Sequence, residues 1–93
     1  MSKSGAVIRM PKRFDYSSSS EFNNAIASAL EQGGDVVLDC SEMEYIDSAG
    51  IGLLVMSQKK AKAKNERLVM SYLKPAPKEI LGLANIQKII DID

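Results

Sequence analysis

The sequence predicts an α/β fold, a mainly parallel four-stranded sheet with the element order βαβαβαβ. Three observations carry that expectation. Short apolar runs rich in β-branched residues recur at "AVIRM", "DVVLDC", "RLVMSYL" and "KIIDI". Segments with helical periodicity separate them, as the right-handed crossovers between parallel strands require. Capping and stop signals bracket those helical segments.

Each element has its own local reason. Ala6 to Met10 forms the first strand, closed by Pro11, which cannot continue a hydrogen-bond ladder. The serine-rich "YSSSSEF" opens a helix, because Ser18 and Glu21 stand three places apart, the spacing of a reciprocal capping box. Phe22, Ile26 and Leu30 recur every fourth residue with Ala25 and Ala29 beside them, and Gly33–Gly34 stops the helix. In "DVVLDC" the apolar run is continuous, the pattern of a strand covered on both faces, so Asp35 to Asp39 is expected as the central strand. A second helix runs from Ser48 to about Lys64, with Ile51, Leu54, Val55 and Ala61 turned to one side. The lysines of "KKAKAK" complement its negative C-terminal end. "RLVMSYL" is the third strand, "APKEILGLA" a short helix opened by Pro75 and Pro77, and "KIIDI" the last strand. With no internal repeat, residues 1–93 are expected to form one domain with a core from about residue 6 to 92.

Composition narrows the function. At 93 residues the chain is long enough to bury roughly two-thirds of its unfolded surface. Its apolar fraction of 45% and charged fraction of 26% are those of a globular chain. Twelve basic residues balance twelve acidic ones, so the positive field that draws proteins to nucleic acid is missing. The lysine run reads as a solvated helix face. No apolar run is long enough to span a bilayer, and "MSKSGAVIRM" lacks a signal-peptide core, which points to a cytoplasmic protein. Cys40 is the single cysteine and there is no histidine, so neither an internal disulfide nor a His/Cys metal centre is expected; no cofactor motif is read.

One stretch invites a functional reading: "EYIDSAGIG", Glu44 to Gly52, in the loop after the second strand and the first turn of the next helix. Open α/β sheets place their sites at this carboxyl end. A nucleophilic Ser48 would need a base, and without histidine the usual relay is closed. The stretch does not spell the nucleophile elbow, and Gly50–Ile51–Gly52 lacks the length and lysine of a phosphate-binding loop. An enzyme is therefore not expected. Two readings stay open on residue chemistry alone: Ser48 or Asp47 merely caps the helix while Ala49, Gly50 and Gly52 allow close packing, or Ser48 is itself modified.

The run "VVLDCSEMEYIDSAGIGLLVMSQKKAKAKNERLVMSYLKPAPKEILGLANIQKI" resembles the STAS domain, the fold of bacterial anti-sigma factor antagonists and of the cytoplasmic tail of sulfate transporters. The resemblance extends from about Val7 to Ile92, and its most specific element is Asp-Ser-Ala-Gly-Ile-Gly after a strand ending in aspartate. In antagonists of this family the serine of that motif accepts phosphate, which implies Ser48 as the phosphorylation site. The resemblance further implies a partner-switching regulator. Its unphosphorylated form binds an anti-sigma factor that is also a serine kinase, phosphorylation releases it, and a serine phosphatase resets it. The alternative is a non-cycling STAS scaffold subunit of a transporter or larger signalling complex. The chain departs from the family pattern in lacking an additional first strand and last helix, as in a minimal version, and in carrying Ala49 where many relatives have a second hydroxyl.

The expected partner-binding surface takes in Asp15, Tyr45, Asp47, Ser48, Ala49, Gly50, Ile51 and Gly52. Asp15 joins it because the loop after the first strand leaves the sheet at the same end. Asp39, Glu42, Glu44 and Asp47 follow one another with no lysine or arginine between them, so the loop is expected to be acidic, with Tyr45 and Ile51 as apolar contacts.

Overall fold

Residues 5–93 are described by a computed structural model. In chain order the elements are β1 (Val7–Arg9), β2 (Arg13–Phe14), a 3-10 turn (Tyr16–Ser18), α1 (Ser19–Gln32), β3 (Val36–Asp39), β4 (Tyr45–Ile46), α2 (Ser48–Ala63), β5 (Leu68–Ser71), α3 (Pro75–Leu83), a second 3-10 turn (Ile86–Lys88) and β6 (Asp91–Ile92). The main sheet has the order β1-β3-β5-β6, and every pair in it is parallel. This is the expected fold class.

The strand order has a consequence that the composition of "DVVLDC" conceals. Each crossover steps to the next neighbour in the same direction, so right-handed connections bring α1, α2 and α3 to one face. Ile8, Leu38, Met70 and Ile92 share that face through the register, and Leu38 and Met70 are fully buried. The opposite face carries Val7, Val37 and Val69 in one row, and Val7 is 66% exposed. The expectation of a central strand covered on both faces is therefore corrected: in β3, Val36 and Leu38 are buried while Val37 and Asp39 are only half-buried. Asp35 also falls just outside this strand.

The core lies between the sheet and the helices. The predicted stripe of α1 supplies Phe22, Ile26, Ala29 and Leu30, and α2 supplies Gly50, Leu54, Ser57 and Ala61. Ile51 and Val55 flank that core half-buried. Phe14 meets Phe22 edge to face with ring centroids 4.9 Å apart. Gly33 and Gly34 end α1 at φ values of 82° and 89°, a conformation open to glycine. The last strand is shorter than "KIIDI": the segment first closes a 3-10 turn that buries Ile86, and only Asp91–Ile92 joins β5.

The capping box is displaced from its expected place. Ser18 already has helical backbone angles (φ −87°, ψ −5°) because the 3-10 turn runs directly into α1, and it makes no side-chain cap. The extended residue that starts the spiral is Asp15, and the reciprocal pair is Asp15 with Ser18.

β2 and β4 form a second, two-rung parallel ladder that strand periodicity does not reveal. It prolongs the β1–β3 pair past the carboxyl end of the main sheet. Met10 N–H donates to the Asp39 carbonyl (2.9 Å), and the Lys12 carbonyl then accepts from the amides of Glu44 (2.8 Å) and Tyr45 (3.0 Å). Between the two ladders the second chain segment bulges through a turn at Ser41–Glu42 while Met43 anchors it in the core.

Candidate partner-binding site

The short ladder sets the geometry of the site. Its register pairs Arg13 with Tyr45 and Phe14 with Ile46, so the next residues on each strand, Asp15 and Asp47, leave side by side. Both have extended backbones (φ −140° and −121°) and both cap the element that follows. Asp15 Oδ1 accepts from the Ser17 amide (3.0 Å), and Asp47 Oδ1 accepts from the Gly50 amide (3.0 Å). The 3-10 turn after Asp15 packs against α2, and Asp15 leaves the ladder at the same end as Asp47.

Ser48 is the first residue of α2 and is exposed. Its helix start is held down from beneath by Gly50. A Cβ at that position would stand 2.5 Å from the Phe14 carbonyl oxygen, 2.9 Å from Phe14 Cδ2 and 3.0 Å from Ile46 Cγ1. Only a glycine lets the helix approach the ladder this closely. Gly52 is different: it is exposed and a Cβ there would meet nothing within 4 Å, so its expected packing role is corrected. Ala49 and Ile51 are half-buried, and Tyr45 is 39% exposed.

Distant segments add cations to the acidic loop's surroundings. Arg13 Nε binds Asp15 Oδ2 at 2.9 Å, and the Arg13 guanidinium lies 4.3 Å from the centre of the Tyr45 ring. Lys74 Nζ reaches Glu44 Oε2 at 3.4 Å across thirty positions of sequence. No local pattern signals either lysine or arginine as a neighbour of the motif. The Ser17 hydroxyl bond, with help from Arg13, holds the Asp15 carboxyl below the usual carboxylate range, and the Ser41 amide does the same for Asp39.

Cys40 is no nucleophile in this setting. It is fully buried beneath the loop, and desolvation, reinforced by the Asp39 charge, pushes its thiol up to about 12. Among the described residues no group of three or more His, Cys, Asp or Glu side chains is arranged to hold a metal ion. No helix among them is long and apolar enough to cross a membrane.

A family model described as "Mlab, STAS domain" matches residues 1–91, and the chain belongs to the STAS domain family. It is 24% identical over 86 residues to a STAS-domain containing protein of Pseudomonas aeruginosa (strain UCBPP-PA14), spanning 92% of this chain and 85% of that protein. Among solved structures it is similar to Thermotoga maritima TM1081, with a TM-score of 0.80 and 20% identity over 94% of this chain and 71% of the other. It is also similar to the anti-sigma factor antagonist SpoIIAA in its unphosphorylated form, with a TM-score of 0.78 and 18% identity over 100% of this chain and 84% of the other. The phosphorylated form of the Bacillus SpoIIAA gives a TM-score of 0.70 at 18% identity, over 100% of this chain and 86% of the other. At these identities the likeness is one of fold.

Proposed function

We propose that this protein is an anti-sigma factor antagonist that works by partner switching, with Ser48 as its phosphorylation site. The unphosphorylated form binds an anti-sigma factor that is also a serine kinase, phosphorylation of Ser48 ends that binding, and a serine phosphatase restores it. The observation that supports this reading most strongly is the exposure of Ser48 at the first position of α2, beside the capping carboxylate of Asp47. The family and the fold of SpoIIAA, an anti-sigma factor antagonist known in both phosphorylation states, support it further.

Charge explains how such a switch acts on binding and spares the fold. A phosphate on Ser48 adds about −1.5 to −2 charges at pH 7 and stays in water, next to helix amides and a dipole that favour anions. Inside an interface the same dianion must be desolvated beside Asp47. Like-charge juxtaposition there costs several kcal/mol, more than about a hundredfold in affinity. The neighbouring cations Arg13 and Lys74 are already engaged with Asp15 and Glu44, so relief from them would require breaking existing pairs.

The surface offered to the partner comprises Asp15, Tyr45, Asp47, Ser48, Ala49 and Ile51, while Gly50 acts from below by seating the helix. Gly52 adds an open, side-chain-free position one turn along. The test is to incubate the protein with its cognate kinase and ATP, locate the phosphate by mass spectrometry, and measure binding of both forms. One phosphate at Ser48 with affinity lowered at least a hundredfold is expected. Phosphate within Ser17–Ser20 would overturn the site. Equal affinity of the two forms would return the protein to the alternative, a non-cycling scaffold subunit.

A further inference from the structure

Three described residues other than glycine have positive φ: Asn65, Tyr72 and Asn85, at 60°, 63° and 60°. The two asparagines follow α2 and α3, where short amide side chains tolerate the left-handed conformation. Tyr72 is the exception, since a bulky aromatic residue in this region is a steric outlier. The conformation itself has a structural purpose. β5 ends at Ser71, whose carbonyl accepts from the Cys40 amide (2.9 Å), and the chain must then turn so that Leu73 reaches the core and Lys74 reaches Glu44. Glycine or asparagine would make that turn with less strain. The identity of the residue is what the fold leaves unexplained, because the Tyr72 ring is 71% exposed and adds little packing.

Its position accounts for it. Tyr72 stands at the carboxyl end of an inner strand, two residues before the lysine that bridges to the loop carrying Tyr45 and Ser48. Tyr16, in the turn capped by Asp15, is exposed at the same end. Tyrosine is the residue type that interfaces favour, giving a large amphipathic contact for little loss of side-chain freedom. We infer that Tyr72 is a binding anchor for the anti-sigma factor, held outward on a strained turn next to the Ser48 surface. The inference rests on the partner-switching reading and extends the binding surface to the β5–α3 connection.

The test compares Tyr72→Gly, Tyr72→Ala and Tyr72→Phe by thermal melting and by titration against the purified cognate anti-sigma factor kinase. Relief of strain should raise the melting temperature of Tyr72→Gly by roughly 2–6 °C. Binding by both Tyr72→Gly and Tyr72→Ala should nevertheless weaken about 30-fold or more, while Tyr72→Phe stays within about threefold of wild type. Agreement between the alanine and glycine variants separates loss of the ring from added loop flexibility. Wild-type binding matched within twofold by Tyr72→Ala would overturn this inference alone, as would a lower melting temperature for Tyr72→Gly. A wild-type protein that does not bind the kinase at all would overturn the partner-switching reading and this inference with it.

Discussion

Two glycines two positions apart in α2 should respond to alanine with opposite signs. At Gly50 the new methyl would lie 2.5 Å from a backbone oxygen, that of Phe14, and about as close to two buried side chains. Backbone cannot rotate away, so the helix start and the β2–β4 ladder must separate. Overpacking of this kind costs about 1–3 kcal/mol, and the upper part of that range applies where the obstacle is main chain. The gain in helix propensity returns about 1 kcal/mol, leaving Gly50→Ala destabilised by about 1–2 kcal/mol. For a domain of this size that is a fall of roughly 5–15 °C in melting temperature. At Gly52 nothing lies within 4 Å, so only the propensity term acts, and Gly52→Ala should melt roughly 4–8 °C higher than wild type. Circular dichroism melts of the two variants, with urea titrations to check two-state behaviour, decide the matter. A Gly50→Ala protein at least as stable as wild type would refute the claim that this glycine seats the helix on the ladder.

Further outcomes follow from the same geometry. Ser48→Asp should melt within a few degrees of wild type, because a carboxylate at a helix start gains about 0.3–1 kcal/mol, yet it should bind the anti-sigma factor more weakly; Ser48→Ala should bind and refuse phosphate, which calorimetry and a kinase assay will register. Asp47→Ala removes the acceptor of the Gly50 amide and should cost about 1 kcal/mol, whereas Asp47→Asn should retain most of the cap in the same denaturation experiment. Cys40 should resist iodoacetamide in the native protein and react only on unfolding. Its pKa is raised from 9.0 to about 12, so the folded state holds the proton more firmly and stability should decline as the pH climbs above about 9, a decline that Cys40→Ala should lessen.

What the sequence discloses is what periodicity and capping encode. The stripe of Phe22, Ile26 and Leu30 determines which face of α1 is buried, and the Asp47–Ser48 step marks the helix start to the residue. Other features depend on information that is not local. Two-residue strands have no period, so Arg13–Phe14 and Tyr45–Ile46 are invisible until paired. Val36 and Val37 are chemically alike, and only the direction of the crossovers decides that one is buried and the other looks outward. One cation of the site, Lys74, is delivered to Glu44 from a different crossover by the turn at Tyr72. Gly50 and Gly52 read identically in a string of letters and differ only in what lies beneath them.

The bulge between the two ladders separates loop length from site geometry. From Arg9 to Arg13 one strand advances four positions, 13 − 9, while from Asp39 to Tyr45 its partner advances six, 45 − 39, and the surplus is taken up by the outward turn at Ser41–Glu42. Both ladders are pinned by their own hydrogen bonds on either side of that turn, so residues inserted there extend into solvent and leave Asp15 and Asp47 level. A deletion between Pro11 and Phe14 has no such slack: it would slide one aspartate past the other and tilt the first turn of α2. Homologues and designed variants should therefore vary in length at the outer turn and hold the shorter β1–β2 connection constant.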